Sequence, residues 1–168
     1  MVHTRVVAQE CISILTTPLL ARFLHAVRQA DEPWSKALAQ RLESICDGLV
    51  PQVWDIRLEG VSAPAVHKAL NRQQRIAVSD LLRDNAERDD MLPAVVLMVE
   101  REGRSFLLPE DGFPLREGDA ILLAGRHQVR SVLDLTLKNA NALDYVLTGV
   151  DQRGGWVWRA LFGKEKRQ

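Results

Sequence analysis

Residues 93–125 have the sequence PAVVLMVEREGRSFLLPEDGFPLREGDAILLAG, which carries the strongest structural signal in the chain. Three apolar runs of strand length occur in it, at 93–99, 105–108 and 120–124. Charged or glycine- and proline-containing turns separate the runs, and Gly118-Asp119 is typical of a tight turn. The pattern predicts a three-stranded antiparallel meander. We expect these apolar side chains to lie within or against one mixed sheet: Val95, Leu97, Val99, Phe106, Leu108, Ile121 and Leu123.

The segments on either side of this stretch predict one more strand and further helices. Residues 51–59 alternate in polarity, so Trp54, Ile56 and Leu58 would face inward on a strand, with Gln52 as an exception at its entrance. A helix is predicted to begin at Ser62-Ala63-Pro64, and a single helix is predicted over 126–147. Between them, 72–92 fits either a short strand or a helix, followed by a charged loop.

The first part of the chain predicts a helical hairpin. Apolar residues recur at helical spacing over 17–30 and again over 34–46, and Asp31-Glu32-Pro33 separates the two periods. Thr17-Pro18 is a plausible cap and first turn for the first helix. Before the hairpin, Val6-Val7 offers only a short β-prone piece.

Composition narrows the classes of protein that this chain can represent. Lys+Arg and Asp+Glu both number 22, so the formal charge is zero, and we expect no nucleic-acid partner. Two widely separated cysteines, Cys11 and Cys46, indicate reduced thiols rather than a disulfide framework. There is no apolar run of membrane-spanning length and no signal peptide, so we expect a cytoplasmic chain.

An ordered set of residues in and around 93–125 matches a known pattern: a strand, R-x-G, a strand ending in L-P, L-x-x-G-D, an apolar strand and a glycine. This order resembles the C-terminal lobe of the regulator-of-potassium-conductance family, also called the TrkA-C domain. The residues that carry the match are Arg101, Gly103, Leu108, Pro109, Leu115, Gly118, Asp119 and Gly125.

The resemblance implies an α+β fold in three parts. Residues 1–50 would form the helical crossover and the remnant of a Rossmann-like lobe, which here lacks a G-x-G-x-x-G fingerprint. Residues 51–126 would form a TrkA-C-like β-α-β-β-β lobe, and 127–168 a C-terminal helix with an aromatic and basic tail. One departure is that His67 replaces the glycine of the family's Gly-Lys-x-Leu pattern.

The resemblance also implies a function. It indicates a cytosolic, ligand-sensing and dimerising regulatory domain of a bacterial potassium channel or Trk-type uptake system, which controls potassium ion transport. The regulatory ligand would be a cation or a nucleotide. The partners would be further copies, as a homodimer or a larger ring, and a membrane pore subunit that attaches the domain to the inner membrane.

Two groups of charged residues are candidate ligand sites. Arg57, Arg101 and Arg104 lie near predicted strand ends, where they would either meet an anionic ligand or form an exposed rim of the sheet. Four carboxylates offer oxygen ligands to a hard cation, although their spacing is not that of an EF-hand loop and arginines lie among them. The set is Asp84, Glu87, Asp89 and Asp90.

The predicted dimer interface lies on the helical hairpin, whose apolar residues exceed what one small lobe was expected to cover. The set is Leu20, Phe23, Leu24, Val27, Leu38, Leu42 and Ile45. No arrangement of Ser, Cys, His and carboxylates indicates catalysis, so we expect no enzyme. Two alternatives remain: a ligand-sensing module of another cation transporter, and a DNA-binding regulator that uses the hairpin as a helix-turn-helix.

Overall fold

A computed structural model describes residues 18–29, 31–46 and 50–150. Val6-Val7, Cys11, Thr17 and the tail from residue 151 onward lie outside these ranges. The described residues form an α+β fold with a four-stranded antiparallel sheet. Its helices are α1 (Pro18–Gln29), α2 (Glu32–Cys46), α3 (Pro64–Asn71), α4 (Val78–Leu81), α5 (Val129–Lys138) and α6 (Ala140–Thr148). Its strands are β1 (Gln52–Arg57), β2 (Ala94–Arg101), β3 (Arg104–Leu107) and β4 (Ala120–Gly125).

The strand order is β1-β4-β2-β3, which corrects two sequence predictions. The three runs at 93–125 do not form a meander, because β4 pairs with β2 and β1 and not with β3. The sheet is not mixed either, since every pairing among the described strands is antiparallel. The physical reason lies in burial: all six residues of β4 are buried, so the strand belongs in the centre, whereas β3 is polar and exposed at its start.

Helices cover both faces of the sheet. On one face, α3, α4, α5 and α6 enclose a core with Trp54, Val99 and Ile121 from three of the strands. On the other face, α1 and α2 pack on Leu97 and Leu122. A bulge in β2 between Val96 and Met98 lets this strand send Val95, Leu97 and Met98 all into the second core.

The helical hairpin predicted from the sequence is present, but its apolar side is not left free. Phe23 and Leu38 are buried in the second core, and four further members of the predicted interface pack against it. Those four are Leu20, Val27, Leu42 and Ile45; Leu24 is half-buried on α1. The premise that this surface exceeds what the lobe can cover is therefore corrected, because a sheet that is apolar on both faces needs the hairpin as its second cover. A dimer through these residues stays a prediction.

The single helix predicted over 126–147 is two helices. Asn139 has extended backbone angles and lies between α5 and α6, where its side-chain oxygen accepts hydrogen bonds from the backbone N–H groups of Asn141 and Ala142. Asparagine is a favoured N-cap because it satisfies helix N–H groups that lack intrahelical partners. The break lets Leu133 on α5 and Leu143 on α6 reach the same core.

Residues 72–92, whose secondary structure the sequence did not decide, are held by short backbone pairings. Helix α4 occupies the middle, and isolated bridges join Ala77 to Pro114 and Arg83 to Met91. None of the helices within the described ranges has both the length and the apolar character required to cross a membrane.

The two cores give a direct test of this architecture. Ile121 and Leu97 are almost fully buried on opposite faces of the sheet. Replacing either with aspartate places a charge in an apolar core, and we expect the free energy of unfolding to fall by more than about 3 kcal/mol. Leu135→Asp, on the exposed side of α5, is the matched control and should change it by less than about 1 kcal/mol. Urea denaturation followed by circular dichroism measures the difference, and a cooperative, wild-type transition for Ile121→Asp would contradict the fold.

Candidate functional site

The turn between β2 and β3 positions the first residue of the site. Arg101 and Arg104 face each other across the two strands, and the two residues between them both have positive φ. These are Glu102 at 49° and Gly103 at 78°, as a two-residue type I′ hairpin turn requires. Gly103 suits its position because a residue without a Cβ adopts this conformation at little cost. The turn fixes Arg101 at the end of a central strand.

Arg101 forms a bidentate ion pair with Asp119. Its Nε donates to Oδ1 at 2.8 Å and its Nη2 to Oδ2 at 2.7 Å. The Asp119 side chain is completely buried, and only 14% of the Arg101 side chain is exposed. Asp119 Oδ2 also accepts the backbone N–H of Arg116 at 2.8 Å, so the tight turn predicted at Gly118-Asp119 is closed by the same carboxylate. One buried ion pair therefore joins the end of β2 to the start of β4.

The rest of the Arg101 guanidinium holds the loop that connects β3 to β4. Its Nη2 donates to the Pro114 carbonyl at 2.7 Å, and its plane lies near the rings of Phe106 and Phe113. The hydrogen bond to Asp119 raises the pKa of Arg101 above its ordinary value. Below the ordinary arginine pKa the contribution of the Arg101 charge to stability is complete, and it is lost as the pH rises through the raised pKa of Arg101.

The same loop reaches the helical hairpin. Arg41 of α2 donates to Asp111 at 2.9 Å, and Arg22 of α1 forms an ion pair with Glu100 beside Arg101. One turn further along α2, Arg126 Nε donates to the Ile45 carbonyl at 2.9 Å. The C-terminal half of α2 is thus tied to the sheet and its loops by polar contacts, in addition to its apolar packing.

The three arginines that were predicted to bind an anion lie near one another but differ in their contacts. Arg57 pairs in register with Ala120, next to Asp119, and Arg104 pairs with Arg101, so all three lie at one end of the sheet. Arg57 and Arg104 are exposed, whereas Nε and Nη2 of Arg101 are engaged within the chain. Arg101 thus has a structural partner in Asp119, and ligand binding by this residue stays a prediction.

The predicted cation site is not assembled. Among the described residues, no group of three or more His, Cys, Asp or Glu side chains is arranged to hold a metal ion. Asp84 instead accepts the backbone N–H groups of Ala86 and Glu87, and Glu87, Asp89 and Asp90 are exposed. Asp84 therefore bonds to its own loop, and these four carboxylates do not form a shared oxygen cage.

Sequence reasoning missed the residues that fix this loop. Arg88 donates through Nε to the Val146 carbonyl at 2.8 Å, at the end of α6 where carbonyls lack helical partners. Asn85 is buried and donates to the Val132 carbonyl and to Thr136 on α5. In the sequence, Gly149 was a local signal for the end of α6. Val132 and Val146, which accept the hydrogen bonds of Asn85 and Arg88, lie 47 and 58 residues further along the chain, so no local signal points to them.

Three other residues of the sequence match are also tightly placed. Pro109 and Leu115 are buried on the loop. Gly125 ends β4, where a Cβ would lie 2.7 Å from the Cβ of Ala94 and 2.9 Å from the Pro93 carbonyl oxygen. Such distances are too short for a side chain, so the close approach of β4 and β2 requires glycine here.

No family model matches the chain, and no curated protein matches it. A solved structure of Streptococcus agalactiae BusR in complex with its busAB promoter DNA matches 82% of this chain at 18% identity, with a TM-score of 0.36. The chain spans about half (52%) of the length of that BusR chain. A likeness at this level does not establish a shared fold.

The expectation that nucleic acid is excluded as a partner is withdrawn; the BusR structure holds promoter DNA, and at a TM-score of 0.36 that is a fact about BusR alone. The exclusion rested on a net charge of zero. A net charge of zero is a sum over the whole chain and does not describe local basic patches. It therefore does not exclude a nucleic-acid partner.

The Arg101–Asp119 pair can be tested by removing one partner. Arg101→Met leaves the Asp119 carboxylate buried without its counter-charge, and we expect the free energy of unfolding to fall by about 3–5 kcal/mol. Arg104→Met, at the exposed cross-strand position, is the control and should change it by less than about 0.5 kcal/mol.

A double-mutant cycle separates the pair from its surroundings. Adding Asp119→Asn to Arg101→Met should cost at least about 1 kcal/mol less than the sum of the single changes, because the two side chains share one interaction. Additive losses in urea denaturation would show that the two residues act independently and would contradict the geometry described above.

Proposed function

We propose that this chain is the regulatory part of a potassium channel or potassium-uptake system, and that it senses a small ligand and controls potassium ion transport. The observation that carries the proposal is the buried Arg101–Asp119 pair. It joins the R-x-G and L-x-x-G-D parts of the sequence that resemble a TrkA-C lobe, and so gives a physical reason for their occurrence together.

The other matching residues support the same proposal. Gly103 and Gly118 adopt positive φ in turns, Pro109 and Leu115 are buried, and Gly125 lies where a side chain would collide with β2. Each residue type thus meets a stereochemical requirement at its position. If the pattern occurred by chance in an unrelated fold, its residues would not be expected to meet these stereochemical requirements.

The proposed mechanism is a shift in population between two arrangements of the hairpin on the sheet. The loop between β3 and β4 contacts Arg101 through Pro114 and contacts α2 through Asp111. A ligand that binds one arrangement of this loop more tightly would alter the position of the hairpin, and the hairpin would pass that change to an attached pore. The required coupling is a difference in affinity between the two arrangements.

Arg57 and Arg104 are the candidate side chains for an anionic ligand, since both are exposed at the same end of the sheet. We expect one of a set of probes, comprising adenine nucleotides, cyclic dinucleotides, Mg²⁺ and Ca²⁺, to raise the melting temperature at millimolar concentration. Ligands that bind only the folded state stabilise it by mass action. Differential scanning fluorimetry of the 168-residue chain measures the shift.

The variant Arg57→Gln/Arg104→Gln should abolish the shift caused by an anionic probe and leave the melting temperature without ligand unchanged. Arg130→Gln, an exposed change on α5, is the matched control and should keep the shift. In cells, Ile121→Asp on the chromosome should alter rubidium uptake, which traces potassium transport. Normal uptake in that strain, with no probe shifting the melting temperature, would overturn the proposed function.

A further inference from the structure

Strand β3 is an edge of the described sheet, and no described strand pairs with its outer side. The amide of Leu108 donates to the Leu97 carbonyl at 2.9 Å, and Met98 pairs in register with Leu107. In an antiparallel ladder this geometry makes Leu107 and Ser105 the positions whose N–H and C=O groups point away from β2. Within the described part of the chain, these outward groups form no hydrogen bond.

Shallow depressions that are open to solvent lie beside this edge. One, of about 320 Å³, is lined by Ala26 and Trp34 of the hairpin and by Leu107. A second, of about 590 Å³, is lined by the β3–β4 loop, by Leu107 and by Phe106, which packs against the core on the other face. Leu107 belongs to both depressions. An unpaired edge strand with free space on both faces of the sheet can bind an added strand, because the side chains of that strand alternate between the two faces.

We propose that β3 pairs antiparallel with β3 of a second copy of this chain, so that two sheets join into one of eight strands. The register follows from the outward groups: Ser105 of each copy pairs with the partner's Leu107, which gives four backbone hydrogen bonds around a twofold axis. Phe106 then faces the partner's Phe106 on the axis, at a non-hydrogen-bonded position where cross-strand side chains approach most closely.

Charge complementarity favours a second copy as the occupant. In this register Arg104, which is exposed, faces the beginning of the partner's loop 108–112. That loop carries the exposed carboxylate Glu110 beside Asp111, which bonds to Arg41, so each copy offers a cation where the other offers an anion. The opposite edge, β1, carries Asp55 and Arg57 on the face opposite Trp54, and charged side chains commonly protect an edge strand from pairing.

This interface is separate from the one predicted on the hairpin, whose apolar residues cover the chain's own sheet. Paired strands of four residues bury less surface than a standard interface, so the flanking depressions must contribute and the affinity should lie in the micromolar range. The proposal does not depend on any regulatory ligand, and it is tested without one.

Ser105→Pro tests the edge with little effect on the monomer. The outward N–H of Ser105 bonds to nothing within the described structure, and proline is tolerated on the open side of an edge strand. Removing two of four hydrogen bonds should weaken dimerisation by about thirtyfold or more. Val53→Pro makes the same change at an outward position of β1 and should leave dimerisation unchanged.

Sedimentation equilibrium of the 168-residue chain, from low to high micromolar concentration, measures the effect. A dimer in the wild type and in Val53→Pro, with a monomer in Ser105→Pro of unchanged melting temperature, supports the proposal. A monomeric wild type overturns it, and so does a dimer that survives Ser105→Pro, because the contact would then lie elsewhere.

A cross-link tests the register. With Cys11 and Cys46 replaced by serine, Phe106→Cys should form a disulfide-linked dimer under mild oxidation, since residues facing each other at such a position have the Cα spacing that a disulfide needs. Ser105→Cys, which faces the partner's Leu107, should cross-link at least about tenfold more slowly. Equal rates would overturn the register.

Discussion

The buried ion pair between Arg101 and Asp119 links most of the features of this fold. A carboxylate with no exposure to solvent is stable only with its charge compensated, and here a bidentate guanidinium and a backbone amide compensate it. The same guanidinium binds the Pro114 carbonyl and lies against two phenylalanine rings. The central strands, the hairpin turn and the loop between β3 and β4 therefore meet at one charged group, and the position of each constrains the others.

From this group the constraints extend to the helices. Glu100, the neighbour of Arg101, pairs with Arg22 of α1, and the loop held by Arg101 supplies Asp111 to Arg41 of α2. These surface pairs contribute little free energy by themselves, and the apolar packing of the hairpin on the sheet contributes more. Their importance lies in orientation, because they couple the position of the hairpin to the conformation of one loop. This arrangement suits a domain that transmits a change of shape.

The edge strands of the sheet offer a second place for contacts with other molecules. Both faces of the sheet carry helices, and among the described strands the unpaired sides are those of the two edges, β1 and β3. Shallow depressions lie beside β3. An edge of this kind either pairs with another strand or requires protection against doing so. A contact at β3 would lie beside the loop that Arg101 holds, so assembly and the conformation of that loop would influence each other.

The amino-acid sequence alone was sufficient for the local features. Apolar runs located β2, β3 and β4, glycine- and proline-containing segments located the turns, and helical spacing located α1 and α2, because each of these signals lies within a few neighbouring residues. Asn139 also carried a local signal, as an N-cap within what looked like one helix. The order of the strands, the partner of Arg101 and the surface beneath the hairpin were fixed only by tertiary structure. Arg101 and Asp119 are 18 residues apart, and Arg41 and Asp111 are 70 apart. Contacts over such separations depend on how complete layers pack together, and composition or periodicity along the chain does not specify that packing.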